Sequence, residues 1–280
     1  MNFVHLLAAL LLVSLTLGAG LQVDREHLVA ALKNLGLLGR ALLANMVIVP
    51  VLGVLLVRLF RLPEDVATGV LIMAIAPGVP FVLASVRKRG GRLGFAVELA
   101  FFLPLISIAT IPVTALLVFP GNHAHIPFGK FLTTLVLFQL VPLVAGVLIS
   151  GRWPELARRL ARPLQVVFFG SAIVLISVLA SKLVEAVTTV YGSNGMWAIL
   201  VLTLAGMFTG WLLGGPQRED RRVLAIGTAL RNIGLCALVA TTTIRNPVVT
   251  ATVLTYFIIQ FVVTTLAGVY FARTTARATQ

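Results

Sequence analysis

Two short stretches of this chain carry residue types that could do chemistry, and both lie in apolar surroundings. In Thr228-Ala-Leu-Arg-Asn-Ile-Gly-Leu-Cys236, Arg231 and Asn232 stand side by side within a hydrophobic run. In Ala76-Pro-Gly-Val-Pro80, Pro77, Gly78 and Pro80 interrupt another such run. Proline removes helical hydrogen bonds and frees backbone carbonyls. At membrane depth such carbonyls are tolerated only where protein or a wet cavity satisfies them. A guanidinium supplies a fixed positive charge whose planar fork matches a carboxylate. Glu98 is the one acidic residue well inside an apolar run. The candidate site is therefore Arg231, Asn232, Thr228, Glu98, Pro77, Gly78 and Pro80.

The elements that must position these residues follow from composition. Of 280 residues, 59% are hydrophobic and 11% charged, against roughly 25% charged in an ordinary soluble domain. A bilayer crossing needs about 20 mostly apolar residues. Apolar runs bounded by charge, proline and glycine predict nine spans, near 3–23, 37–60, 65–86, 92–119, 130–150, 164–186, 194–215, 223–242 and 247–271. The fold class expected is an all-α polytopic membrane protein, one transmembrane unit over residues 1–280. The first span is read as a retained helix, because it lacks the basic start of a signal peptide.

The net charge of +13 is a matter of topology here. Sixteen of the 22 Lys and Arg fall in the connections after spans one, three, five and seven or in the C-terminal tail, for example Arg87, Lys88, Arg89 and Arg92. The positive-inside rule then puts the N-terminus outside and the C-terminus in the cytoplasm of a plasma or inner membrane. Nucleic acid is not implied, and the bilayer is the expected partner. Cys236 is the only cysteine, so it forms no intrachain disulfide or C-x-x-C site, and small core filler is its expected role. His123 and His125 read as a solvated loop, His5 as a helix contact, and Gln139, Gln165 and Gln260 as residues that hydrogen-bond between helices or line a path. Residues 24–33 read as an amphipathic surface helix. No nucleotide loop or hydrolase motif is present, so neither catalysis nor a cofactor or metal is expected.

Spans three and eight are the irregular ones, and being five apart they run in opposite directions. Interrupted segments at matching places in two inverted halves point to a transporter site at the membrane midplane. Pro77 lies ten residues from Arg87 and Arg231 nine from Arg222, so both sit roughly 14–15 Å from the inner edge at about 1.5 Å per residue. That is half of a roughly 30 Å core. An arginine there costs about 2.5–3.5 kcal/mol on insertion scales and must face protein or water. Three roles stay open for Arg231: a structural pair with Glu98, a contact to an anionic substrate, or a fixed charge in place of a mobile cation.

The sequence resembles the bile acid:sodium symporter family in an ordered series of segments. These include Gly20-Leu21, Leu28-Val-Ala-Ala-Leu32, Pro50-Val-Leu-Gly53, Leu59-Phe-Arg-Leu-Pro63, Ala67-Thr-Gly69, Ala76-Pro-Gly78 and Ala229-Leu-Arg-Asn-Ile-Gly-Leu235. The resemblance implies inverted repeats, two crossing broken helices, a panel-like part (spans 3–23, 130–150 and 164–186) and a core-like part (spans 37–119 and 194–271). It also implies sodium ligands at positions occupied here by Val82, Leu83, Ala96, Ala100 and Gly227, with Arg231 replacing a glutamine and Asn232 matching. Sodium wants several oxygen ligands, and these side chains offer none. The function expected is a secondary transporter of a small organic anion working by alternating access. The alternatives are an ordinary sodium-coupled symporter and a non-transporting membrane sensor or enzyme.

Overall fold

The computed structural model describes residues 3–23, 29, 31, 33–78, 91–119, 128–180 and 184–278. The helices in chain order are α1 (Phe3–Gly20), α2 (Leu35–Leu59), α3 (Glu64–Ile75), α4 (Leu93–Val118), α5 (Phe131–Arg152), α6 (Pro154–Ala180), α7 (Val184–Gly192), α8 (Gly195–Leu213), α9 (Arg218–Ala229), α10 (Ile233–Val239) and α11 (Pro247–Ala278). Seven helical stretches among the described residues are long and apolar enough to cross a membrane. The expected spans missing from those seven are 65–86 and 223–242, the two that carry the interruptions. Among the described residues neither forms a helix long enough to cross a bilayer unaided: α3 and α9 have 12 residues each, and α10 with the π turn that continues it runs Ile233–Ile244. Pro80, Val82, Leu83, His123 and His125 lie outside the described residues, as does most of the expected surface helix at 24–33.

The boundary that differs most from expectation is the start of the sixth span. The sixth span was expected from residue 164, but α6 begins at Pro154 and runs through Pro163. Its first turns carry Arg158, Arg159 and Arg162, which lowers their hydropathy without breaking the helix. Proline is well suited to the first helical position, and Pro154 holds it. The neighbouring α4 likewise contains Pro104 and Pro112.

Packing gathers α1, α5 and α6 against one another, while α3, α9 and α10 are enclosed by α2, α4, α8 and α11, with α1 also against α10. The densest contact joins α8 to α9, and its cause is legible in Gly206-Met-Phe-Thr-Gly210. Small residues spaced by three let backbones approach where lipid gives no hydrophobic drive between helices. A Cβ placed on Gly210 would lie 2.4 Å from the Leu224 carbonyl oxygen. Large apolar side chains stay exposed on the outer faces, Leu117, Leu148 and Val166 among them, as expected of surfaces that meet acyl chains.

Proline also shapes two of the continuous spans. Ala44–Ile48 of α2 and Val136–Leu140 of α5 are single π-helical turns, each followed by Val-Pro, at Pro50 and Pro142. In the first, the Val49 N–H donates to the Ala44 oxygen, skipping Asn45. Pro50 has no N–H to offer. The Asn45 carbonyl is thus released from the backbone ladder.

Candidate functional site

Helices α3 and α9 both stop at the interruptions, and the segments that follow them meet. Alpha helix α3 stops at Ile75, and Ala76 is extended at φ −98°, ψ 93°, as the residue before a proline prefers. On the other segment α9 stops at Ala229 and Leu230 is extended at φ −79°, ψ 130°. Asn232 then caps α10, its Oδ1 accepting from the Leu235 N–H at 3.1 Å. The extended pieces cross antiparallel in an isolated bridge between Pro77 and Arg231. The Asn232 N–H donates to the Ala76 oxygen at 3.1 Å. Gly78 lies so close to the second break that a Cβ there would stand 1.9 Å from the Leu230 carbonyl oxygen.

The guanidinium of Arg231, 3% exposed, is received by oxygens at the end of α3 and on Asn45 of α2. Its Nε donates to the Met73 carbonyl at 3.0 Å and its Nη2 to the Ala74 carbonyl. These belong to the last turn of α3, where the helix dipole is negative; the Met73 carbonyl also accepts from the Ala76 N–H at 3.3 Å, so Arg231 is its second donor. Nη1 donates to Asn45 Oδ1 at 3.1 Å, and Nη2 to the Asn45 carbonyl at 3.3 Å, the oxygen released by the π turn and Pro50. Glu98 is buried on α4 but is not among the acceptors of Arg231, so the paired role is not the arrangement found.

The remaining polar groups fix the backbone around this charge. Gln260 of α11 brackets the Arg231 peptide: its Oε1 accepts from the Arg231 N–H at 2.8 Å and its Nε2 donates to the Arg231 oxygen at 3.3 Å. Asn45 Nδ2 donates to Thr228 Oγ1 at 3.2 Å. Asn232 Nδ2 donates to Gln139 Oε1 at 3.2 Å, and Gln139 Nε2 reaches the Pro104 carbonyl at 2.9 Å and Ser107 Oγ at 2.8 Å. Gln139 sits on the π turn of α5, a device frequent at functional sites. It links the α1–α5–α6 group to the crossing.

The fold therefore brings together Arg231, Asn232, Thr228, Pro77 and Gly78 from the expected set. Asn45, Gln139, Gln260 and Ser107 complete the arrangement. Of these, Gln139 and Gln260 were legible as polar residues in apolar runs. Asn45 carried the same signal, a lone amide in Leu42-Leu-Ala-Asn-Met-Val-Ile-Val-Pro50, and was missed. His5 Nε2 lies 3.0 Å from the Thr241 carbonyl, a helix contact as expected. Cys236 is buried with its Sγ 3.6 Å from the Ile72 carbonyl. Ala96 and Ala100 are buried apolar positions on α4, and a Cβ at Gly227 would touch Leu99 Cδ1 at 3.7 Å. Among the described residues no group of three or more His, Cys, Asp or Glu could hold a metal ion.

At the N-terminal end of α9, Asp220 lies 2.8 Å from Arg92 at the start of α4. Burial pushes the Asp220 carboxyl above the usual carboxylate range, against the pull of Arg92.

Apolar helices around a buried crossing of two broken segments define a multi-pass membrane protein. A model of the Sodium Bile acid symporter family matches residues 9–189, well over half of the chain. The chain belongs to this family, whose description is of transporters. Among its relatives is the P3 protein of Homo sapiens, 26% identical over 227 residues, which make up 76% of this chain and 46% of that protein. The P3 protein of Bos taurus is 29% identical over 150 residues, 50% of this chain and 30% of that protein. The chain thus spans less than half the length of these relatives. The family match includes the first break, and the second lies beyond residue 189.

Proposed function

We propose that this protein is a secondary transporter of a small organic anion, with its site where the two broken helices cross. The observation that carries the reading is the antiparallel crossing with Arg231 held on three carbonyl oxygens and one amide oxygen. Four oxygens gathered this way resemble what a hard cation seeks, and here a guanidinium fills them. The fixed charge makes the crossing permanently positive without a mobile ion. In a low-dielectric interior that field favours an anion nearby.

Several features support the rest of the reading. The antiparallel sense of the bridge fits inverted halves, and seven continuous spans with two broken ones fit nine crossings. The α1–α5–α6 group fits a panel, and the helices around the crossing fit a core that moves against it. Gln139 and Asn232 then mark the seam where substrate enters, with the N-terminus outside and the C-terminus cytoplasmic. Arg231 acts mainly as the fixed charge and Asn232 as the polar group nearest the seam.

Uptake of labelled organic anions into proteoliposomes, in sodium and in choline buffer and with and without a pH gradient, tests this. Saturable uptake of an anion that persists in choline is expected. A large, saturable sodium dependence overturns the fixed-charge reading in favour of an ordinary sodium symporter. No uptake of any anion under any gradient favours a non-transporting sensor or enzyme.

A further inference from the structure

We propose that the end of the bundle where α8, α9 and α11 meet is a binding site for an anionic phospholipid. These helices frame a cleft of about 530 Å³. One end of it is cationic. Arg218, Arg221 and Arg222 line it, and their spacing places them on one face of the first turns of α9. Guanidinium groups bind phosphate through forked hydrogen bonds. The same turn opens a helix of 12 residues whose N-cap, Gln217, makes no side-chain capping bond. Helix N-termini favour anions. The two carboxylates of this turn do not line the cleft: Asp220 is turned to Arg92, and Glu219 is exposed.

The cationic end is held in shape. Arg222 Nη2 donates to Thr274 Oγ1 at 3.2 Å, and the guanidinium carbon lies 5.8 Å from the Phe271 ring centre. Phe271 in turn stacks on Trp211, 5.5 Å between centroids and 19° between planes. The other end is apolar and open to the side. Leu204 and Phe208 line it at 44% and 62% exposure. Leu204 is seven residues from Trp211 on α8, or about 10 Å along the axis. The cleft thus grades from arginines through an aromatic layer to apolar wall over roughly that distance. A phosphodiester with acyl chains fits this gradient, whereas free phosphate uses only its first part. Basic pockets between helices at the membrane boundary take anionic headgroups, and aromatic residues settle at the same level. Because α9 leads directly to Arg231, an occupant would fasten the N-terminal end of α9 to α11.

The test uses Trp211 as the reporter. Trp153→Phe with Trp197→Phe leaves Trp211 as the only tryptophan of the three, and the protein is reconstituted with brominated phosphatidylglycerol or brominated phosphatidylcholine. Phosphatidylglycerol is expected to half-quench Trp211 at roughly a tenth of the mole fraction that phosphatidylcholine requires. Arg218→Gln with Arg221→Gln should erase that preference. Arg158→Gln with Arg159→Gln on α6, the same loss of charge elsewhere, should keep it. Should the α9 double variant fail to fold, Arg218→Gln alone, at an exposed position, should shift the preference in the same direction. Equal quenching by both lipids overturns the proposal. So does equal loss in the α6 variant, which would mean general surface attraction, or relief of quenching by millimolar inorganic phosphate, which would mean a free-anion site.

Discussion

Replacing Arg231 by glutamine separates a charge that binds cargo from one that holds the fold. Arg231 supplies four charge-assisted hydrogen bonds, to Met73 O, Ala74 O, Asn45 Oδ1 and Asn45 O. Hydrogen bonds to charged groups contribute about 1.5–3 kcal/mol each, net of desolvation. A glutamine amide offers two N–H groups, so at least two oxygens lose their donor. The expected loss is about 3–6 kcal/mol, or a drop of roughly 10 °C in melting temperature. The emptied oxygens should then accept a hard cation. Sodium at about a hundred times its Kd would return about 2.7 kcal/mol to the variant and nothing to the parent. The assay is thermal unfolding of the detergent-purified protein in sodium and choline chloride, for the parent, Arg231→Gln and two double variants. Arg231→Gln with Asn45→Ala should couple by about 1 kcal/mol or more, and with Glu98→Gln should add to within about 0.5 kcal/mol. A parent protein stabilised by sodium as strongly as the variant, or a variant melting with the parent, would refute the fixed-charge reasoning. Strong coupling to Glu98 would restore the ion pair.

Two other changes test the crossing and the orientation. Gly78→Ala drives a Cβ to 1.9 Å from the Leu230 oxygen, so it should cut the yield of folded protein sharply. Gly170→Ala on α6, where a Cβ meets nothing within 4 Å, should be neutral or stabilise by about 0.5–1 kcal/mol. Size-exclusion profiles and melting curves compare the two. With Cys236 replaced by serine, single cysteines at positions 122 and 217 report topology in intact cells. An impermeant thiol reagent should label position 122 and spare position 217, and the reverse pattern would invert the orientation.

Much of this molecule is a local property of its chain. Apolar runs of bilayer length make α1, α2, α4 and α8 helices wherever they pack, because lipid leaves the backbone no other partner. Pro77 and Gly78 stop α3, and the Leu230–Asn232 stretch stops α9, near where composition alone places them. Pattern reading failed at α6, since it took Arg158, Arg159 and Pro163 as a loop. Polarity there marks only the edge of the bilayer, and a helix can outrun the membrane that it crosses.

What the chain could not disclose is where a freed group finds its partner. Sequence left Arg231 with three possible roles, because a buried guanidinium demands oxygens without naming them. The fold chose Met73, Ala74 and Asn45, which lie 158, 157 and 186 positions away. Asn45 qualifies because α2 lies beside the end of α3, where it offers both its side-chain oxygen and a carbonyl released by the π turn before Pro50. Hydrogen bonds reach about 3 Å, so the choice among distant oxygens belongs to helix packing, and packing is fixed by the whole chain at once.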